Sequence, residues 1–184
     1  MAVVTPLRAD AARDLAHRIL ADLPKRWNHT AGVAHRAEEI AAAIGGDDAE
    51  MLIAAAWLHD IGYAEPVRDT GFHPLDGGRY LRRHGWSSRL AALVTHHSGA
   101  CFVAEVRGLS LAEFVREVSP LADALTYADQ TIGPDGQPMT VPQRIADMLS
   151  RHGPDSPNAR AHPERGPYLL AVADRVQRRL PGKV

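Results

Sequence analysis

Residues 49–60, AEMLIAAAWLHD, are apolar nearly all the way round a helical wheel until they end in the adjacent pair His59-Asp60. A helix of that kind has no face to give to water, so it must be central and the rest of the chain must wrap it. Its end adds a second constraint. Burying an imidazole and a carboxylate without partners costs several kcal/mol, so other polar groups must converge on the point where this helix stops. Ala54 to Leu58 are expected to bury the helix and hold that end rigid, and Gly62 to let the chain turn away from it.

Nearly every other segment also reads with helical period, rich in Ala, Leu and Arg and ending at Gly or Pro, and no segment carries a strand pattern. Residues 7–22 place Leu7, Ala11, Leu15, Ile19 and Leu20 on one face, with Pro24 as the stop. Asn28 or Thr30 is predicted to cap the next helix, which turns Val33, Ala37, Ile40, Ala41 and Ile44 inward and stops at Gly45-Gly46. Asp47 or Asp48 then caps the central helix. After a loop over 61–72, Pro74 opens a helix running to about His84 with His73 at its mouth, and Ser87 caps one over 88–97. Residues 100–118 read as a loop and a short helix. Ser119-Pro120 opens a helix with Asp129 in its last turn, Thr140 and Pro142 start one to about Arg151, 152–163 is a loop, and 164–180 closes the chain as an amphipathic helix. The expected fold is all-α, a single compact multi-helix bundle over 1–184 with 151–184 as a C-terminal helical extension. A chain of 184 residues that is 45% hydrophobic can supply one such core.

Charge and cysteine content exclude several function classes. Lys+Arg 21 against Asp+Glu 22 gives a net charge of −1, so no basic field points to nucleic acid. Met51–Leu58, the longest apolar run, is too short to span a bilayer, and the N-terminus lacks a basic-then-apolar leader. Cys101 stands alone, which excludes an internal disulfide framework and a Cys-rich zinc ribbon and fits a reducing cytoplasm. The expectation is a cytoplasmic protein without nucleic-acid or membrane partners. Oligomeric state has no readable signature.

Ten histidines are the compositional outlier, and their positions carry the argument. His29, His59, Asp60, His73, His96 or His97, and Asp129 all fall near helix ends beside apolar faces. Imidazole and carboxylate without thiolate form a ligand set for iron, manganese, cobalt, nickel or zinc, bound from several rigid elements at about 2.0–2.2 Å. His17, His84, His152 and His162 read as solvated or capping side chains, and His35 faces a different side of its helix from His29. Asp123 falls in a first turn, where a carboxylate favours the helix dipole, so Asp129 is the preferred site residue.

The order His29, then His59-Asp60 inside LHDIG, then Asp129 in a YAD segment resembles the H…HD…D pattern of the HD superfamily of metal-dependent phosphohydrolases. The likeness covers about residues 25–150. It implies an all-helical fold in which His29, His59, Asp60 and Asp129 hold a first divalent ion. The binuclear branch of that family adds two histidines, for which His73 in GFHPLDGGRYL and one of His96 or His97 are the matches. The distance to Gly99 resembles an HxxG spacing and favours His96; the resemblance thus implies one or two ions per chain, and with two, Asp60 is the bridge between them. The resemblance also implies a small phosphorylated substrate, attacked by metal-activated water, with His96, His97 or a carboxylate protonating the leaving oxygen and Asp60 fixing the attacking group. Many relatives carry a basic residue directly after HDIG. This chain has Tyr63 there, and Arg26, Arg68, Arg79 and Arg82 are the possible replacements. Two other readings belong to the same family resemblance: a diiron oxygenase, and a non-catalytic metal- or nucleotide-binding module.

Overall fold

The computed structural model describes residues 8–181; Leu7, assigned above to the inward face of the first helix, lies outside them. Nine α-helices follow one another among the described residues: α1 (Ala9–Ile19), α2 (Pro24–Ala41), α3 (Gly46–Leu58), α4 (His73–Arg83), α5 (Ser88–His96), α6 (Ala100–Val106), α7 (Pro120–Gln130), α8 (Val141–His152) and α9 (Pro157–Arg179). Short 3-10 turns over Ile61–Tyr63 and His97–Gly99 interrupt the run at the two places where polar residues gather. Apart from one antiparallel bridge between Ile132 and Pro138, the described residues contain no strand pairing. None of their helices is long and apolar enough to cross a membrane.

Helix α3 takes the centre. Leu52, Ala54, Ala55, Ala56 and Leu58 are fully buried, and α1, α2, α5 and α7 pack around it. A helix rich in alanine lets its neighbours approach closely on every side, which brings the ends of α2, α5 and α7 to its C-terminus. Trp57 is the exception, stacking on Trp27 of α2 with ring centroids 5.4 Å apart.

Several helix boundaries differ from the sequence reading. Pro24, expected to stop the first helix, instead opens α2 at a first-turn position where its missing N–H is no loss. Asn28 and Thr30 therefore lie inside α2 and cap nothing. The inward face of α1 is also rotated: Ala12, Ala16 and Leu20 are fully buried, while Leu15 and Ile19 are only partly so. Gly46, read as a stop, is the first residue of α3, and Asp47 and Asp48 lie in its first turn and do not cap it; Gly45 holds that position without a side-chain bond. The largest difference is α9. It begins at Pro157, capped by the Ser156 hydroxyl on the Ala159 N–H, and runs through Pro163 and Pro167, which the sequence reading divided between loop and helix. Bidentate pairing of Arg175 with Asp123 of α7 at 2.7 and 2.8 Å, with Arg179 behind it, fastens α9 to the bundle. Asp123 is thus structural. The predicted caps Ser87, Ser119 and Thr140 all form, the last as a reciprocal capping box with Gln143.

Candidate metal centre

Helix α3 ends at Leu58, and the backbone leaves the helical path at Asp60 (φ −109°, ψ 6°). Side chains of neighbouring helical residues point about 100° apart. This break lets His59 and Asp60 face one centre instead, with His59 Nε2 3.3 Å from Asp60 Oδ2. His29, from the second turn of α2, places Nε2 3.0 Å from Asp129 Oδ1 and 3.6 Å from Asp60 Oδ2. His73, the first residue of α4, places Nε2 3.2 Å from Asp60 Oδ1, and His97 places Nε2 4.0 Å from the same oxygen. One oxygen of Asp60 therefore faces His29 and His59, and the other faces His73 and His97. His29, His59 and Asp129 form one group whose donor atoms lie within 4.8 Å of one another, and His59, Asp60 and His97 form a second.

Three of these rings are held by the backbone in the same way. His59 Nδ1 donates to the Ala56 carbonyl at 2.7 Å, His97 Nδ1 to Val94 at 2.6 Å and His29 Nδ1 to Gly133 at 2.9 Å. A carbonyl can only accept, so each Nδ1 carries a proton and Nε2 is the ring atom turned to the centre, that of His29 hydrogen-bonded to Asp129 Oδ1 at 3.0 Å. His59 Nε2 is fully buried and makes no hydrogen bond. Asp129 is fixed from the opposite side: its Oδ2 accepts from the Ser98 hydroxyl and, at 2.9 Å, from Gln130 Nε2. Ser98 holds its place in a left-handed conformation (φ 53°), with its N–H donated to Thr126 Oγ1. Burial pushes both carboxylates up, but His59 and Arg26 hold Asp60 well below the usual range and His29 and His59 do the same for Asp129. Burial pulls His59 down, yet Asp60 and Asp129 leave it raised, a proton standing where the carboxylates attract a cation. His73 and His97 are pulled below their ordinary value, first by burial. Buried imidazole nitrogens facing two ionised carboxylates fit a divalent cation and leave a metal-free centre dependent on protons.

The structure corrects the choice between the paired histidines. Helix α5 ends at His96, and His97 opens the following 3-10 turn, so it is His97 that swings into the cluster. His96 turns outward and its Nε2 bonds the Phe114 carbonyl at 2.9 Å, which separates it from the centre and removes it from the proton-transfer role too. His35 is exposed beside Glu38 and Glu39. Of the four arginines singled out, Arg26 reaches the site: its Nη1 donates to Asp60 Oδ2 at 2.6 Å and its guanidinium lies 4.0 Å over the Tyr63 ring. Tyr63 stacks in turn on His73 with centroids 4.0 Å apart, and burial pushes its phenol up to about 12, so it stays neutral. Arg79 and Arg82 are engaged by Glu113 at the surface, and Arg68 bonds the Tyr63 carbonyl at 3.3 Å.

In front of the cluster lies a cavity of about 350 Å³ whose far wall comes from α8 and α9 and includes Arg144, Arg151, His152 and Arg165. None of these was singled out from the sequence, where an arginine on a helix near the C-terminus looks like any solvated charge, and His152 was read as a surface side chain. Ser98 and Gln130 were missed as well; they adjoin His97 and Asp129 in the chain, which is the one signal that marks them.

A protein-family model described as HD domain matches residues 26–178. Comparison with curated proteins gave no match, and neither did comparison with solved structures.

Proposed function

The chain belongs to the HD-domain family of metal-dependent phosphohydrolases, and from that premise we propose that it hydrolyses a small phosphorylated molecule at the His/Asp cluster. His29, His59, Asp60 and Asp129 would hold a first divalent transition-metal ion and His73 and His97, with Asp60 between, a second. Bound there, such an ion acidifies water towards neutrality and neutralises charge on phosphoryl oxygens.

The carrying observation is the buried, unpartnered Nε2 of His59, its ring fixed through Nδ1 to Ala56 and aimed at two carboxylates. The chain's own residues supply the rest. Asp60 and Asp129 stay ionised, Ser98 and Gln130 orient Asp129, and Arg26 brings a permanent cation beside Asp60 where phosphate oxygens would arrive. Tyr63 stacks on His73 and Phe72 lies beside it, which fixes the ring at the cavity wall. His97 is a poor proton donor to a leaving group, since burial keeps it neutral and its one proton is held by Val94.

The test is phosphate or nucleoside monophosphate release with manganese, cobalt, nickel or iron added back to chelator-treated protein. Alanine at His59 or Asp60 is expected to abolish both bound metal and turnover. Unchanged metal content and turnover in both variants would end the proposal. The two-sided surroundings of Asp60 also suit a diiron oxygenase, which oxygen consumption without phosphate release would favour. Retained metal without turnover across the screen would favour a binding module.

A further inference from the structure

Three of the five cavity arginines have a carboxylate: Arg26 meets Asp60 at 2.6 Å, while Arg151 and Arg144 meet Asp147 at 2.8 and 3.4 Å; Arg107 is exposed, with its Nη1 on the Gly71 carbonyl at 3.0 Å. Arg165 differs. Its Nε donates to the Ser98 carbonyl at 2.8 Å. Among the described residues no carboxylate lies within ion-pair distance of its guanidinium, and its two terminal nitrogens make no hydrogen bond. That one anchored nitrogen fixes the plane of the group, and the rest of the fork opens on the cavity.

The surroundings make this a costly place for an unpaired cation. Burial pushes the Arg165 guanidinium down from its ordinary value; Asp129, too far for an ion pair, offsets part of that, and nearby Arg144 adds to it. His152 at the rim is likewise lowered, first by burial and then by Arg151, Arg144, Arg165 and Arg26 in turn. Arginine does not shed its proton to escape such a setting, so the charge persists. Like charges gathered around a cavity, one with a free planar fork, are the arrangement that a multiply charged oxyanion relieves. Arg26 stands at the opposite side, on Asp60.

We infer that Arg165, backed by Arg144 and Arg151, binds a second, non-reacting phosphoryl group, so that the substrate class is a phosphoester carrying at least one further phosphate. The inference rests on the phosphohydrolase reading for the identity of the reacting group. The anion site itself does not need a metal, and its test is chosen accordingly.

Calorimetric titration of the chelator-treated full-length chain with pyrophosphate, and separately with orthophosphate, reads the site directly. Wild type is expected to bind pyrophosphate at least about tenfold more tightly than orthophosphate, the scale of one charge-assisted fork contact. R165M should bring the two within about threefold. R165K, which keeps the charge without the fork, should recover only part of the preference; it carries the test if R165M does not fold. No pyrophosphate binding by wild type, no preference over orthophosphate, or a preference untouched in the folded variants would overturn the inference. Because the titration uses metal-free protein, a failed metal centre leaves its outcome intact, and loss of the pyrophosphate preference leaves metal binding and turnover to be judged separately.

Discussion

His59 and His97 obey one local rule: a ring at or just past a helix end donates Nδ1 to the carbonyl three residues earlier, Ala56 or Val94, and its Nε2 is thereby committed to the interior. His96 lacks that bond and faces the opposite way, with its Nε2 on Phe114. Alanine at His97 is therefore expected to reduce bound metal and to lower turnover by at least ~100-fold, whereas alanine at His96 leaves metal content unchanged and turnover within ~3-fold; metal analysis of the two variants, with turnover alongside, checks it, and the reverse pattern would restore the HxxG assignment. Ser98→Ala removes the hydroxyl from Asp129 without touching a ligand atom. Weakening of metal affinity by ~10-fold, with the fold retained by circular dichroism, is the expected outcome, in line with what ligand-orienting partners contribute. At this scale His29, His59, Asp60, His73 and Asp129 were all visible in the sequence and all meet in space. The paired histidines were not resolvable, because which of two adjacent residues faces inward depends on where α5 stops. Arg165 was invisible for another reason: its distinguishing feature is a partner it lacks.

The start of α4 sits at one close approach of the backbone. A Cβ added to Gly62 would lie 2.0 Å from the His73 carbonyl oxygen and 2.7 Å from His73 Cα, so glycine is needed there to admit the backbone of His73. The sequence reading gave Gly62 the different job of turning the chain. Further along α4, a Cβ on Gly78 would lie 1.9 Å from Thr95 Oγ1, so the α4–α5 contact is also built on small residues. Gly62→Ala must push His73 away from Asp60, and the expected result is a loss of about 1–3 kcal/mol in stability together with loss of one ion, read by denaturant titration and metal analysis; full stability with both ions retained would contradict it. Helix existence and order were legible because α3 is apolar all round and Ser87, Ser119 and Thr140 are caps of ordinary kind. The start of α9 was not, since Pro163 and Pro167 look like breakers, whereas the Ser156 cap and the Arg175–Asp123 pairing hold the helix through them.

The whole molecule stakes its interior on a cluster of titratable groups, and pH reads that directly in metal-free protein. His73 and His97 are held below their ordinary value near 6.5, first by burial, so the unfolded chain takes up protons there that the native one refuses. Their stabilising contribution is complete above about 6.5 and is lost as pH falls below it. His59 is raised, so its contribution is complete below about 6.5 and is lost as pH rises through its folded value; it does not offset the acid loss. Asp60 and Asp129, both lowered, keep their contribution above about 3.8 and lose it as pH falls further. The melting temperature of the metal-free chain should therefore fall between pH 6.5 and 5 and fall again below pH 4, and a flat profile across both windows would show the cluster is not coupled to folding. The most direct test of the central claim, that this cluster is a metal centre, is the metal-to-protein ratio after loading with manganese and removal of free ion, measured by mass spectrometry on wild type and His59→Ala. Wild type should retain at least one ion per chain and the variant less than about a tenth of that; a wild-type chain that retains none, or a variant that retains as much, would contradict it.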